Sequence, residues 1–385
     1  MKIRLLILSI AVFIGACSLT AAETPSLSVI DPNPEPQAST DPKPESTPDL
    51  TVPQPQPEPQ ASSEPEPAPV PEAKPGGRNE AISSYDDVKA FMAEMVKKGI
   101  DSKTLQNTFD KTRFDYKIIY LMNRPAEKAR SWTWYYDAMV SKTRVGNGSL
   151  YLTEHKTALN KISTEYKVPA NVIAAILGIE TNYGKYVIKQ TAVQGLATLA
   201  FEYPRRASYF RGELEQLFIQ AKANGLDPLF YKGSYAGAIG LPQFMPSSMA
   251  NYAKDGDGDG KVDIVTTHAD AIASIANYLR MHGWRDGRHT VALVTPTKTL
   301  AANQFVKNIC ATKGKRTVKQ LRELGVPLPE QYKDDEKAFL GKLDEDVDKG
   351  TYQVAVFFEN ACPIYRYNYS LKYVAAVALL AESYE

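Results

Sequence analysis

A proline-rich segment near the start of the chain limits what this sequence can fold into. Between about Thr24 and Gly77 most residues are Pro, Glu, Gln, Ser or Asp, and runs such as PQPQPEPQ contain almost no large apolar side chains. Most of the 26 prolines of the 385-residue chain lie here. Such a segment buries too little apolar surface to offset the entropy of ordering it, and it favours semi-extended conformations. We therefore expect a disordered linker over residues 17–80, or less readily a ligand for proline-binding modules, with a folded body only after it.

The first residues have the pattern of an export signal. Two basic residues precede an apolar run that is too short to span a membrane comfortably. The run ends in IGAC, which resembles a bacterial lipobox, so residues 1–16 are expected to be a lipoprotein signal peptide and Cys17 to carry lipid. Ser18 after the cysteine favours the periplasmic face of the outer membrane. The alternative is an ordinary signal cleaved near Ala22.

Composition and cysteine count narrow the remaining possibilities. The chain is 43% hydrophobic and has a formal net charge of +1, so it can bury a sizeable core, and its overall charge does not favour a nucleic-acid partner. If Cys17 is lipidated, an even pair of cysteines remains in an oxidising compartment. This predicts a disulfide between Cys310 and Cys362, with two buried free thiols as the alternative.

Helical patterns dominate from about residue 84 onward. SYDDVKAFMAEMVKKG has a capping box at Ser84 and Asp87 and a stop at Gly99, and further helices are expected from about Arg206 to Asn224 and over HADAIASIANYLRMHG. The pattern then changes, because TVALVTP and YQVAVFFEN are rich in β-branched and aromatic residues and predict strands. The alternating tyrosines of YRYNYS also predict a strand, and SLKYVAAVALLAESY predicts a last helix.

These patterns predict a mainly α, α+β fold. We expect a helical core over residues 81–284, a small β-containing subdomain over 285–363, and a C-terminal strand and helix over 364–385 that complete the core.

One apolar run ends in a glutamate. In AAILGIETNYG, residues 174–184, the apolar residues three, four and seven positions before Glu180 share one helix face with it, and the helix is expected to begin near Pro169. A buried carboxylate is costly unless it is paired, hydrogen-bonded or protonated. Either Glu180 reaches water or pairs with Arg205 or Lys185, or the fold keeps a carboxyl group in a sheltered place.

A second motif has the spacing of an EF-hand calcium loop. DGDGDGKVD alternates aspartate with glycine and has Gly260 at the sixth position, where the chain must turn sharply. Helices are predicted on both sides. The twelfth position is Thr266 rather than the usual glutamate, so the choice of calcium over another hard cation stays open, as does a bare acidic turn. The candidate ligands of a structural ion are Asp255, Asp257, Asp259, Lys261 through its carbonyl, and Asp263.

A glycine-rich stretch lies between these two motifs. GSYAGAIGLPQFMPSSM, residues 233–249, predicts a tight loop followed by a helix that begins at Pro246. Beside Glu180, this loop would offer Ser234 and Gln243 as polar contacts in a cleft.

Several of these stretches occur in the same order in the lytic murein transglycosylase B family, which this chain resembles from about Arg130 to its end. They are AAILGIETNYGKY, FEYPRRASYFRGELE, GSYAGAIGLPQFMPSS, DGDGDG, ADAIASIANYL and RYNYSLKY. The resemblance implies a lysozyme-like helical catalytic core, an EF-hand-like loop that binds Ca²⁺, and a small β-containing subdomain.

The resemblance also implies roles for individual residues. Glu180 would be the single catalytic acid. The substrate-binding residues would be Ser234, Gln243, Asn368 and Tyr373 near the acid, and Tyr135, Arg205, Arg206, Tyr209 and Tyr278 along the glycan. On pattern alone, the tyrosines favour a packed strand face and the two arginines a solvated helix start.

The expected activity is cleavage of the β-1,4 bond between N-acetylmuramic acid and N-acetylglucosamine in peptidoglycan. Glu180 would protonate the leaving oxygen, and the sugar's own C6 hydroxyl would attack C1, which gives a 1,6-anhydro end without water. The expected partners are peptidoglycan glycan strands, the outer membrane through the lipid anchor, and other cell-wall enzymes.

Two other functions remain open at this level. A water-using muramidase on the same fold would need a second carboxylate in the cleft. A non-catalytic peptidoglycan-binding lipoprotein would use the long linker as a tether.

Overall fold

The folded part of the chain is seen in a computed structural model that describes residues 78–123, 130–186, 188–346 and 350–384. The predicted signal peptide, Cys17 and nearly all of the predicted linker lie outside the described residues. Among the described helices, none combines the length and the apolar character needed to cross a membrane.

Helices make up most of the described chain, and a small antiparallel sheet follows them, which confirms the predicted mainly α class. The helices are α1 (Asp86–Lys97), α2 (Ser102–Asp110), α3 (Tyr116–Asn123), α4 (Trp132–Met139), α5 (Lys142–Glu154), α6 (Lys156–Tyr166), α7 (Ala170–Thr181), α8 (Ala192–Glu202), α9 (Ala207–Ala223), α10 (Pro246–Tyr252), α11 (His268–Met281), α12 (Val318–Glu323), α13 (Ala361–Tyr367) and α14 (Leu371–Glu382). The strands are β1 (Val291–Val294), β2 (Arg316–Thr317), β3 (Lys337–Asp346) and β4 (Thr351–Phe357).

Ion pairs hold the beginning of the described chain to the helices. The Arg78 guanidinium donates to both carboxylate oxygens of Asp87 at 2.7 and 2.8 Å, lies 3.0 Å from Glu202, and covers the ring of Tyr85. Asp87 is thus occupied by Arg78, and α1 begins after Tyr85 without a side-chain cap. The predicted capping box of Ser84 and Asp87 is therefore wrong, because a tertiary ion pair takes the carboxylate that would have served it.

Helix α7 lies in the centre of the core. Every residue from Val172 to Ile179 is buried, and the helix packs against α5, α11 and α14. It begins one residue after Pro169 and ends in left-handed residues, with φ of 50° at Asn182 and 80° at Gly184. Glu180 therefore lies in the last turn, where the buried helix reaches the surface.

Close packing also explains a glycine near the end of α7. A Cβ atom on Gly178 would lie 2.6 Å from the Tyr183 ring, so the tyrosine occupies the space that a side chain would need. The absence of a side chain at Gly178 leaves room for the turn after Glu180 to fold back onto the helix.

The four strands have the order β1-β4-β3-β2, and every neighbouring pair is antiparallel. Alternate residues of β4 enter two different cores, since Ala355 and Phe357 join the main helical core while Val354 and Val356 join a smaller one. Burial on both faces explains why the second half of β4, VAVF at residues 354–357, is a continuous apolar run. The sequence predicted β1 and β4 correctly and gave no signal for β2 or β3.

The segment of alternating tyrosines is helical. Tyr365 and Tyr367 lie in α13, so the predicted strand at YRYNYS is wrong, while the predicted last helix is present as α14. Each hydroxyl has its own partner, since Tyr365 donates to the Lys307 carbonyl and Tyr367 to the Pro242 carbonyl. The alternation thus reflects separate tertiary contacts, and the segment completes the core as two helices.

Candidate active site

Glu180 is half-buried, and its side chain meets a residue from the far end of the chain. The Tyr373 hydroxyl, on α14, donates a 2.7 Å hydrogen bond to Glu180 Oε1 across 193 residues of sequence. Tyr373 is 1% exposed. Burial raises the pKa of Tyr373 well above its usual value, and the Glu180 charge raises it further, so this phenol keeps its proton and acts as a donor.

The cleft around Glu180 is assembled from parts of the chain that are distant in sequence. Helices α4 and α7, the glycine-rich loop, and the junction of α13 and α14 contribute its lining residues. They are Tyr135, Met139, Ile179, Glu180, Ser234, Tyr235, Ala236, Ala238, Gln243, Tyr367, Asn368 and Tyr373. The structure thus brings together Glu180 and five of the predicted substrate-binding residues: Tyr135, Ser234, Gln243, Asn368 and Tyr373.

The charge of this cleft is set by one group. Among its described lining residues Glu180 is the sole carboxylate, and none is Lys, Arg or His. Lys185, considered from the sequence as a partner of Glu180, donates instead to Asn147 at 2.8 Å.

The glycine-rich loop is held in shape by its own backbone. The Ser234 N–H donates to the Ala238 carbonyl at 2.8 Å, and Gly237 has φ of 86°, a conformation that L side chains rarely adopt. The Gln243 side-chain nitrogen donates to the Gly240 carbonyl at 2.8 Å, which fixes the direction of its amide. Ser234 and Gln243 are therefore presented to the cleft by a rigid loop.

Sequence reasoning missed Tyr367 as a lining residue. It is the last residue of α13, and its hydroxyl donates to the Pro242 carbonyl at 2.6 Å. Burial raises the pKa of Tyr367 well above its usual value, with the Glu180 charge as the second cause. The available signal was its position directly before Asn368, which the resemblance had placed near the acid.

Three predicted glycan contacts lie away from this lining. Arg205 and Arg206 are exposed in a short 3-10 turn before α9, as expected for a solvated helix start. The Arg206 guanidinium lies 4.2 Å from the centre of the Tyr209 ring. This stacked pair offers a flat, cationic surface outside the cleft.

Tyr278 is placed behind the cleft rather than in it. It is 7% exposed, and its hydroxyl donates to the Arg366 carbonyl at 2.7 Å. Its ring packs against Tyr367 with centroids 4.9 Å apart. Tyr278 thus supports a residue that lines the cleft, and its direct contact with glycan stays a prediction.

Cys310 and Cys362 form a disulfide, with an S–S distance of 2.09 Å. Cys362 is the second residue of α13, and three residues later the Tyr365 hydroxyl donates to the Lys307 carbonyl at 3.0 Å. The disulfide and this hydrogen bond both attach α13, the helix that carries Tyr367, to the segment around Cys310.

The acidic loop, residues 255–263, lies between α10 and α11. The carboxylate oxygens of Asp255, Asp257 and Asp259 lie within 4.8 Å of one another. Backbone N–H groups hold them, since Asp255 accepts from Gly258 at 2.6 Å and from Gly260 at 2.8 Å. These bonds lower the pKa of Asp255, so its carboxylate stays charged.

Three clustered carboxylates are the ligand type that a hard cation such as Ca²⁺ prefers, so this part of the loop fits a metal. The predicted ligand Asp263 differs. The Asp263 carboxylate accepts from the Val265 and Thr266 backbones and from the Thr266 hydroxyl, and so caps the turn that leads into α11. Thr266, in the twelfth position, thus donates its hydroxyl to Asp263.

Asp270 is a brace for this loop that the sequence did not indicate. Its two carboxylate oxygens accept from the Gly256 and Asp263 backbones at 2.8 and 2.6 Å. Burial raises the pKa of Asp270. From the sequence, Asp270 reads as an ordinary surface acid near the beginning of α11.

Comparison with known proteins shows the class to which this helical fold and its Glu180 cleft belong, the lysozyme-like transglycosylases. The model of the Transglycosylase SLT domain matches residues 83–382, and the chain belongs to this family. It is 34% identical over 312 residues to the membrane-bound lytic murein transglycosylase B of Escherichia coli (strain K12), covering 78% of this chain and 83% of that protein.

Solved structures agree with this assignment. The chain is similar to the soluble lytic transglycosylase SltB1 from Pseudomonas aeruginosa, with a TM-score of 0.69 and 34% identity over 77% of this chain and 97% of that one. It is also similar to SltB3 from Pseudomonas aeruginosa in complex with NAG-NAM-pentapeptide, with a TM-score of 0.67 and 30% identity over 77% and 78%. By sequence and structure the chain is an enzyme of the lytic murein transglycosylase family, as the sequence motifs predicted.

Proposed function

We propose that this chain cleaves the β-1,4 bond between N-acetylmuramic acid and N-acetylglucosamine in peptidoglycan without water, and leaves 1,6-anhydro ends. The observation that carries the proposal is a single carboxylate, Glu180, bonded to a phenol that keeps its proton, in a cleft without a second carboxylate among its described lining residues. The similarity to SltB3, whose complex contains NAG-NAM-pentapeptide, supports the same class of substrate.

In the first step Glu180 acts as the acid. Tyr373 donates to Oε1, so we assign the transferred proton to Oε2, which gives it to the glycosidic oxygen as the bond to C1 breaks. The fixed side chains of Ser234 and Gln243, together with Asn368, supply polar contacts that position the sugars. A positioned general acid of this kind contributes about 10²–10⁴-fold to the rate.

In the second step the same residue acts as the base. The C6 hydroxyl of the muramic acid attacks C1, and its proton passes to the Glu180 carboxylate, so the acid is restored and no water is consumed. The substrate's own N-acetyl oxygen stabilises the positive charge that develops at C1. During the step in which Glu180 is ionised, the Tyr373 hydrogen bond stabilises its negative charge.

A second carboxylate would be needed for ordinary hydrolysis. Glycosidases that invert or retain configuration place two carboxyl groups about 5–9.5 Å apart across the scissile bond. Among the described lining residues Glu180 is the sole carboxylate, which favours the water-free reaction over hydrolysis by a muramidase.

Mass spectrometry of the products tests the proposal. Purified peptidoglycan is incubated with the chain and with its Glu180→Gln variant. We expect 1,6-anhydro ends from the first and none from the second. Reducing ends would establish a hydrolase, and intact glycan with retained binding would establish the non-catalytic binder.

The acidic loop is assigned a structural Ca²⁺, held by Asp255, Asp257 and Asp259 and by the Lys261 carbonyl. The three clustered carboxylates support this assignment, and the ion would neutralise their mutual repulsion. Melting temperatures measured with increasing Ca²⁺ or Mg²⁺ test it, because a ligand that binds only the folded state raises the melting temperature. We expect a larger rise with Ca²⁺, and equal curves would exclude selectivity.

The location is assigned to the periplasmic face of the outer membrane, through lipid on Cys17. The supporting observations are the lipobox-like IGAC and the membrane-bound relative in Escherichia coli. Cys17→Ala should release the chain from the membrane fraction. Retention of the variant there would exclude this anchor.

A further inference from the structure

A second cleft lies between the sheet and the beginning of α13. Its volume is about 230 Å³, similar to the value of about 200 Å³ for the cleft around Glu180. Three buried apolar side chains, Ile309, Phe339 and Phe358, form its floor, and the Cys310–Cys362 disulfide forms part of its wall.

Three cations stand at the rim of this second cleft, which is called the basic cleft below. They are Arg285, Lys315 and Lys337, and all three are exposed. Arg285 lies 3.4 Å from Glu359, the only carboxylate among the described lining residues. Within the described part of the chain, the side chains of Lys315 and Lys337 form no ion pair or hydrogen bond, so the basic cleft has uncompensated positive charge over an apolar floor.

The basic cleft also offers a hydrogen-bond acceptor. His282 Nδ1 lies 2.8 Å from the Tyr278 carbonyl, and since a carbonyl oxygen only accepts, Nδ1 carries the hydrogen. Burial lowers the pKa of His282, so the ring is neutral at pH 7. Its Nε2 is therefore an acceptor, and it has no hydrogen-bond partner among the described residues.

We propose that the basic cleft binds an acidic peptide. Carboxylates of the peptide form ion pairs with Lys315 and Lys337. The backbone N–H groups of the peptide donate hydrogen bonds to His282 and Glu359. Its small side chains pack on the apolar floor. An inorganic anion would use the two lysines but neither the floor nor the acceptors. A peptide with carboxylates uses all three features at once.

Helix α13 joins the two clefts. Cys362 and Pro363 at its beginning line the basic cleft, and Tyr367 at its end lines the cleft around Glu180. A helix of its seven residues is about 10 Å long. If the proposed function holds, the natural ligand is the short carboxylate-bearing peptide that wall strands carry, so this identification rests on the proposed function, whereas peptide binding itself does not.

Titration calorimetry tests the binding without any cleavage. The full chain carries Glu180→Gln, and the probes are an acetylated tetrapeptide with two carboxylates and the same peptide with both carboxylates amidated. The cleft variant combines Lys315→Gln with Lys337→Gln. The control variant combines Lys319→Gln with Lys333→Gln, which removes two exposed lysines of the same region outside the basic cleft.

We expect the acidic peptide to bind at least about tenfold more weakly to the cleft variant than to the parent, since two charge-assisted contacts are lost. The control variant should bind like the parent, and the amidated peptide should bind weakly to all three. Equal losses in both lysine variants, equal binding of the amidated peptide, or displacement by millimolar inorganic phosphate would overturn the peptide assignment. Mass spectrometry of wall cleavage fails or succeeds independently of these titrations.

Discussion

The Glu180 cleft and the acidic loop are both built around carboxylates, yet the fold makes them in opposite ways. The three aspartates of the loop lie within five residues of sequence and are held by the loop's own N–H groups. Glu180 is half-buried, and its partner Tyr373 comes from 193 residues away. The loop therefore depends on local geometry, whereas the cleft depends on the packing of α7, α13 and α14.

Because of this difference, the two sites should respond to different substitutions. A change in core packing should damage the cleft before the loop, and a change in the loop should leave the chemistry of the cleft intact. The predictions below test that separation, from the largest expected effect to the smallest.

Removal of the cleft carboxylate should nearly abolish activity. Glu180→Gln keeps the shape of the side chain but cannot exchange a proton, and we expect kcat to fall about 10³-fold, near 4 kcal/mol of transition-state stabilisation. Turnover of purified peptidoglycan measures this, and Ca²⁺ affinity should not change. A variant that keeps a tenth of the parent activity would exclude Glu180 as the acid.

Removal of its phenol partner should cost less. Tyr373→Phe deletes one hydrogen bond to a charged group, worth about 1.5–3 kcal/mol, so kcat should fall about 10–100-fold. Tyr369→Phe is the matched control, because Tyr369 is 55% exposed and does not line the cleft. Equal kcat losses in the two variants would show that the Tyr373 bond has no special role.

A methyl group in the core should destabilise the cleft side. In Gly178→Ala the new Cβ would lie 2.6 Å from the Tyr183 ring, and we expect the free energy of unfolding to fall by about 1–3 kcal/mol. In Gly146→Ala nothing lies within 4 Å of the new atom, so this helical control should be neutral or stabilised by up to about 1 kcal/mol. Urea unfolding distinguishes the two, and equal effects would contradict the packing argument.

Loss of one loop carboxylate should affect metal binding only. Asp257→Asn should reduce the Ca²⁺-induced rise in melting temperature, because one anionic ligand is lost, while kcat at saturating substrate stays within about twofold of the parent. Asp335→Asn, an exposed acid elsewhere, serves as the control. A large loss of kcat in Asp257→Asn alone would show that the two sites are coupled.

Acidification should weaken the helix that follows the loop. Burial lowers the pKa of both His155 and His268, whose rings stack 4.5 Å apart, and His268 is the first residue of α11. Below about pH 6.5 the unfolded chain binds more protons than the folded one, so stability should fall as the pH falls towards the lowered folded-state values. His155→Phe should flatten the dependence of melting temperature on pH, and an unchanged slope would contradict it.

Local and distant contacts also decide how much the sequence could predict. The three clustered carboxylates of the acidic loop follow from spacing alone, and α11, β1 and β4 follow from residue patterns within each segment. The helix at Tyr365 and Tyr367 was missed, since an alternation of tyrosines resembles a strand and only tertiary partners at Lys307 and Pro242 explain it. The capping box failed for the same reason, when Arg78 took Asp87.

The residues from α4, α13 and α14 that complete the cleft were predictable only through the resemblance. Nothing in the pattern around Tyr373 shows that its hydroxyl meets Glu180, and nothing in α11 shows that Tyr278 turns away towards the Arg366 carbonyl. Tyr367 was overlooked because the wrongly predicted strand at YRYNYS did not place its side chain in the cleft. Strand β3 was missed because KAFLGKLDED interrupts its apolar residues with glycine and charge.

The ion pairs of Arg78 have a mechanical consequence. A pull on the chain before residue 78 would meet the folded part at Arg78, whose guanidinium pairs with Asp87 of α1 and with Glu202 of α8. Neither contact involves the helices that carry Glu180 and Tyr373. We therefore expect a pull from the N-terminal side to load α1 and α8 before the two helices that carry Glu180 and Tyr373.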